Sequence, residues 1–292
     1  MNHPIKKLLF IVLLIAVSCS PKLQNTTPAS TVNSLLWKIS KDGVQPSYVY
    51  GTFHLLPQAD FQLSEKVQQA FGESEQIVLE LDMDQEGMQM EMLKYMSMTD
   101  GTTISSLLPE EDYQKLDSIL TSTIGMGLAM MDTWKPFFIS TFLLTSYIEG
   151  TPASFEMSFV QMAKEQEKEI LGLETIAEQM AAVDKMDYRS QTQMISEMLN
   201  EEDKMRKSFR EMLDLYKNED VEGLYAYTKA YMENPEEIEA MITNRNESWI
   251  SRIGEIASDK STFFGVGAGH LGGEKGVISL LKEAGYEVEA VR

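Results

Sequence analysis

One cysteine, Cys19, occurs among the 292 residues, so no intramolecular disulfide can brace the fold, which must rest on a packed core. Basic residues are few beside acidic ones: 25 Lys and Arg against 45 Asp and Glu give a formal net charge of −20. That balance argues against electrostatic binding to nucleic acid or anionic lipid, which both need clustered positive charge. The acidic surplus reads as a solvated surface. No His-Glu-x-x-His, Gly-x-Ser-x-Gly or Walker phosphate loop occurs, which removes several common hydrolase and nucleotide-binding classes while leaving hydrolysis itself open. Long apolar runs are scarce too. The run from Leu8 to Val17 falls short of the roughly 20 residues that span a bilayer.

That run reads instead as the apolar part of a bacterial secretion signal, with Lys6 and Lys7 before it. Cys19 follows Ala16-Val17-Ser18, which resembles the lipobox of bacterial lipoproteins, although alanine stands where leucine is usual. The expectation is a signal peptide over 1–18 and a lipidated Cys19. Residues 19–34, rich in Ser, Thr, Asn and Pro, then form a flexible tether, and a folded part covers 35–292. Such a protein sits in the cell envelope, on the periplasmic or surface side of a membrane held through lipid alone. A plain secreted protein with a free cysteine is the alternative.

Histidine is the other scarce residue. Of three in the chain, the two beyond the leader share one frame: Gly51-Thr52-Phe53-His54-Leu55 and Gly267-Ala268-Gly269-His270-Leu271. Each follows a run with strand character, Ser47 to Tyr50 and Thr262 to Val266. A strand ending in glycine lets the chain turn sharply and delivers the histidine to the strand's C-terminal edge, where α/β folds place their ligand sites. Two neutral imidazoles plus a carboxylate leave positions open for water or substrate, the layout of a catalytic metal site. The plainer reading of a lone Gly-x-x-His is a capping or core residue; use of both histidines in one frame tells against it.

Glu80 is the best candidate for third ligand or general base, because a carboxylate at the end of the apolar run Ile77-Val78-Leu79 has no packing reason to be there. Strand alternation would put Asp82 on the same face, and a pair of solvated strand-end acids is the plainer reading of both. Glu174 holds a similar strand-end position, with a helix-start acid as its plainer reading. Arg245 and Asn246 form a pair that could orient a substrate carbonyl or carboxylate, although such pairs are more often surface. Met83, Met88, Met90, Met92, Met96 and Met98 have thioethers suited to copper(I), but their mixed spacing reads as adaptable packing.

The coarse pattern predicts an α/β fold: a mixed β-sheet built from N- and C-terminal segments, with a long helical insertion. Leu35 to Ile39 and Tyr48 to Tyr50 flank the turn signal Asp42-Gly43 and predict an antiparallel hairpin. A helix over about Ser64 to Gly72, capped by Ser64, and a strand over Gln76 to Asp82 follow. The region from about Gln85 to Ser258 is helical by composition, interrupted by a short strand at Glu169 to Thr175. A strand over Phe263 to Val266, a helix over Lys275 to Ala284 stopped by Gly285, and a strand over Tyr286 to Val291 close the chain in a β-helix-β unit compatible with a parallel crossover.

Five motifs in order resemble the TraB/GumN family, which includes the Tiki metalloproteases. They are Tyr50-Gly51-Thr52-Phe53-His54-Leu55, Val78-Leu79-Glu80-Leu81-Asp82, Gly172-Leu173-Glu174-Thr175 with Gln179, Arg245-Asn246, and Phe264-Gly265-Val266-Gly267-Ala268-Gly269-His270-Leu271. The resemblance runs from about Leu35 to the C-terminus. It implies a metal-dependent hydrolase, peptidase-like, using manganese or cobalt on a peptide or small-molecule substrate. It maps the paired histidine motifs onto His54 and His270, the strand-end glutamate onto Glu80, and further family positions onto Glu174, Arg245 and Asn246. A non-catalytic metal- or ligand-binding lipoprotein is the competing expectation, and an interaction scaffold without metal is a third.

Overall fold

Gly43, at φ +78°, makes the tight turn that folds strand β1 (Leu36–Lys41) back on β2 (Val44–Thr52) as an antiparallel hairpin, with Leu36 opposite Tyr50. The computed structural model describes residues 32–232 and 234–292. The expected leader 1–18, the lipidation site Cys19 and most of the tether lie outside the described residues.

After a two-residue strand β3 (Leu56–Pro57), helix α1 (Glu65–Glu73) leads to β4 (Gln76–Leu79). The helical insertion comprises α2 (Met88–Met96), α3 (Glu110–Ile124), α4 (Pro136–Thr145) and, after β5 (Pro152–Ala153), α5 (Phe155–Glu165). Strand β6 (Glu169–Gly172) interrupts it, and then α6 (Ile176–Val183), α7 (Tyr188–Asn200), α8 (Glu202–Lys217), α9 (Val221–Tyr231) and α10 (Asn244–Asp259) follow. Strand β7 (Thr262–Gly267), α11 (Val277–Glu283) and β8 (Glu287–Ala290) end the chain. Among the described residues no helix is long and apolar enough to cross a membrane.

The sheet order is β6-β4-β7-β2-β1-β8. Neighbours β6, β4, β7 and β2 run parallel, and only β1 runs against the rest, pairing antiparallel with β2 and β8. Strands β4 and β7 are buried at every residue, which is why they read as continuous apolar runs; parallel strands covered on both faces leave no polar side. The last β-α-β unit is the expected parallel crossover, with β8 lying beyond β2 and β1. Gly285, at φ +85°, ends α11 as foreseen. That helix starts later than Lys275, at Val277, because Gly276 at its N-cap has extended backbone, φ −75° and ψ 155°.

Phe71, Phe155, Phe159 and Phe263 pack with Tyr50 against one side of the sheet, Phe71 stacking on Phe159 at 5.6 Å. The Tyr216 hydroxyl of α8 donates to the Gly51 carbonyl at 3.0 Å, so the Tyr50 hydroxyl, 2.9 Å away, donates to it in turn. This chain pins the end of β2 just before His54. The methionine cluster is packing: Met83, Met88, Met92, Met96 and Met98 are buried and Met90 is exposed.

Two expected details differ. Ser64 stands at the N-cap of α1 but its hydroxyl makes no capping bond. Strand β4 stops at Leu79, so strand alternation does not carry on to Glu80 and Asp82. The Asp82 carboxylate turns instead to the Asp84 N–H.

Candidate functional site

Four parallel strands end along one edge of the sheet, and each delivers a titratable residue just past its end: Glu174 after β6, Glu80 after β4, His270 after β7 and His54 after β2. Helix α10 crosses this edge and adds Arg245 and Asn246, both buried. All six sequence candidates around the sheet therefore meet in one place, while Asp82 stays outside.

The two histidine motifs fit each other through their glycines. A Cβ on Gly51 would come within 2.7 Å of Leu271 Cδ1 and 3.1 Å of Ala268 Cα, both in the second motif. A Cβ on Gly267 would lie 2.7 Å from His54 Nε2 and 3.3 Å from Glu80 Oε1. Neither glycine has a positive φ. The glycines thus serve close approach, and the sharp turn expected from sequence is not their reason.

Each imidazole is tied down at Nδ1. His54 Nδ1 meets Glu156 Oε1 at 2.6 Å, and Ser154 Oγ donates to the other oxygen of that carboxylate. An ionised acceptor there makes Nδ1 the protonated nitrogen and leaves the Nε2 lone pair facing Gly267. Burial works against a charged His54, but the Glu156 charge and hydrogen bond prevail and raise its pKa. Glu156 is held low in turn: burial opposes ionisation, and His54 outweighs it. The Thr52 hydroxyl favours the same ionised form yet has no hydrogen bond of its own among the described residues.

His270 Nδ1 meets Asn246 Oδ1 at 2.6 Å, and Asn246 Nδ2 donates to the His270 and Lys275 carbonyls. With its amide nitrogen so committed, Asn246 must accept from Nδ1–H, leaving His270 Nε2 as an acceptor for Arg245 Nη1 at 3.2 Å. Burial, followed by the Arg245 charge, lowers the His270 pKa to about 3, so this imidazole is neutral.

Arg245 binds the acids. Its Nε and Nη2 reach Glu174, Nη2 also reaches Glu80 Oε2 at 2.6 Å, and Nη1 donates to the Met241 carbonyl. Trp249, one turn further along α10, lies under the guanidinium and donates from Nε1 to Glu174. A π-helical turn over Glu239–Thr243 leads into α10, the kind of irregularity that re-aims side chains at functional sites. Glu80 Oε1 accepts the Gly267 N–H at 2.8 Å. Burial raises the Glu80 pKa, but Arg245, both histidines and this N–H hold it down at about 2. Burial raises that of Glu174, with Arg245 opposing.

Among the described residues no group of three His, Cys, Asp or Glu side chains stands preassembled around a metal position, since Arg245 engages both Glu80 and His270 Nε2. The donor chemistry nevertheless fits: two imidazoles with outer nitrogens anchored and Nε2 lone pairs left as acceptors, beside an ionised carboxylate. Both imidazoles also face a cavity of about 80 Å³ walled by Phe53, Leu224, Met232 and Ile242.

The model of the TraB/PrgY/gumN family matches residues 35–290. The chain belongs to this family. Among TraB/PrgY/gumN-like curated relatives, it is 24% identical to metalloprotease TIKI1 of Danio rerio over 91% of this chain and 65% of the relative. It is 22% identical to the metalloprotease TIKI homolog of Nematostella vectensis over 93% of this chain and 70% of that protein. The chain thus spans about two-thirds of the length of these relatives. No solved structure matches it.

Sequence reading missed Glu156, which is buried against His54. Its only local signal is an acid in the first turn of α5 behind the N-cap Ser154, a place where acids are common for the helix dipole alone.

Proposed function

We propose that this protein is a metal-dependent hydrolase, peptidase-like, whose metal is held by His54 and His270 with Glu80 as the adjoining carboxylate. The observation that carries the reading is the pair of buried imidazoles at the ends of adjacent parallel strands, each anchored at Nδ1 by an acceptor from another element. The relatives' name, metalloprotease, supports the same class.

A divalent metal, manganese or cobalt, would supply Lewis acidity and make water a nucleophile at neutral pH. Glu156 and Asn246 fix the ring planes and tautomers. Glu80, ionised down to about pH 2, is a poor proton acceptor at neutral pH and better suited to be a ligand. Glu174, with its raised pKa, is the stronger candidate to take a proton, provided Arg245 moves. Arg245 Nη1, whose N–H toward His270 would be released once Nε2 held a metal, is the donor a substrate carbonyl would meet as charge develops on its oxygen. Asn246 has no free donor for that task and serves as a positioning residue.

A non-catalytic metal- or ligand-binding protein is the second reading, favoured by the hold of Arg245 on Glu80 and His270. The test is metal content of protein purified without chelator, beside His54→Ala and His270→Ala versions checked by circular dichroism, together with peptide cleavage in manganese or cobalt. Near-stoichiometric metal that both substitutions remove, with turnover lost in both, is the expected result. Metal without turnover selects the second reading, and no metal uptake sinks the hydrolase and leaves only the ligand-binding form of the second.

The leader motif supports a lipid anchor on Cys19 and a place in the cell envelope. Incorporation of labelled palmitate, abolished by Cys19→Ala, is the expected result; labelling that survives the substitution rules the anchor out.

A further inference from the structure

We propose that the cavity beside the two imidazoles is a subsite for an aliphatic side chain of valine to methionine size, next to the bond to be cleaved. This rests on the hydrolase reading above. The cavity lies between the histidine turns and the helical insertion, walled by Phe53, Met212, Leu224, Tyr227, Met232 and Ile242. No Asp, Glu, Lys or Arg lines it, in a chain whose formal charge is −20. Among the aliphatic walls a charged group would lose its water, whereas an apolar one gains by burial.

The polar atoms in the wall do not change this. The Tyr227 hydroxyl donates to the Ser208 carbonyl and Thr228 Oγ1 to the Leu224 carbonyl. The Thr52 hydroxyl, in a residue only 2% exposed, favours the ionised Glu156 carboxylate.

Size narrows the occupant. The volume of about 80 Å³ far exceeds the 10–15 Å³ needed for one water. A branched or thioether chain is of the size this space accepts. The bare backbone at Gly267 and Gly269 forms the adjoining wall; a Cβ at Gly269 would strike Thr228 Oγ1 at 2.6 Å.

The experiment supplies the full protein with manganese or cobalt and a proteome-derived peptide library, and maps cuts by mass spectrometry. Val, Leu, Ile or Met should exceed Gly, Asp and Glu by about ten-fold or more at one position adjoining the cut, the scale of discrimination an apolar pocket achieves. Leu224→Phe, which fills the cavity, should shift the preference toward Ala and Gly. Cuts without that bias, or a bias unchanged in a folded Leu224→Phe protein, overturn the subsite and leave the hydrolase reading intact. If no peptide is cut, the hydrolase reading fails. The subsite is then decided by N-acetyl-leucinamide against N-acetyl-glycinamide, followed at the carbon-13-labelled methyl groups of Met212 and Met232. Shifts with the leucine compound alone uphold it, and equal or absent shifts overturn it.

Discussion

Gly267 has no side chain because His54 Nε2 already stands 2.7 Å from where its Cβ would be. Gly267→Ala should therefore displace an imbedded ring and not strain the backbone, whose φ is ordinary there. We expect a loss of about 1–3 kcal/mol in stability, the usual cost of overpacking, with metal uptake weakened; unchanged metal content would count against the site. Glu156→Gln replaces a charged acceptor with a neutral one on His54 Nδ1. Metal affinity should fall roughly 10- to 100-fold, as for other partners behind ligating histidines, and the His54 pKa should drop in a metal-free NMR titration. A residue with a merely structural role would leave that pKa where it is. The histidines were legible in the sequence because histidine is scarce and the frame repeats. Glu156 was not, being one of 45 acidic residues, and nothing local marks the one that an imidazole far away in sequence needs.

At the scale of elements, α10 clamps the strand ends through one guanidinium. Arg245 is 5% exposed and serves both Glu80 and Glu174, so Arg245→Met would leave two buried carboxylates with no cation between them. Breaking such a pair costs roughly 3–5 kcal/mol, and urea denaturation should show it. Adding Glu80→Gln and Glu174→Gln should recover a large part of the loss; a triple variant no better than the single would contradict the clamp. Strands β2, β4 and β7 could be read from sequence because their burial makes apolar runs. The order β6-β4-β7-β2 could not, since side-chain type says little about which buried strand lies beside which. The acids of β8 show the limit of pattern matching: Glu287 and Glu289 repeat the spacing of Glu80 and Asp82, yet lie exposed on an edge strand.

The whole molecule should weaken in acid. His270 titrates near 3 against an ordinary 6.5, and Glu80 near 2 against 4.5. In both cases the unfolded chain binds a proton that the folded chain refuses, so the stability present above the ordinary pKa drains away as pH falls. His54 runs the other way. Its raised pKa contributes stability below 6.5 that is lost as pH rises through the folded value. Denaturation midpoints of metal-free protein should fall steeply below about pH 4.5, where Glu80 joins His270, and His270→Asn should flatten the slope above that point. A midpoint indifferent to acid would mean that these groups are not buried as described.

The central position of β7 has a consequence for how the protein comes into being. This strand sits between β4 and β2, yet it follows the entire helical insertion in the chain. Until it inserts, β2 and β4 have no partner joining them, His54 has no Gly267 to face, and Glu80 lacks both the Gly267 N–H and the neighbouring His270. Synthesis must proceed past both before this arrangement exists. A nascent or truncated chain without β7 therefore has no assembled site, and sequence-distant pairing of this kind slows folding.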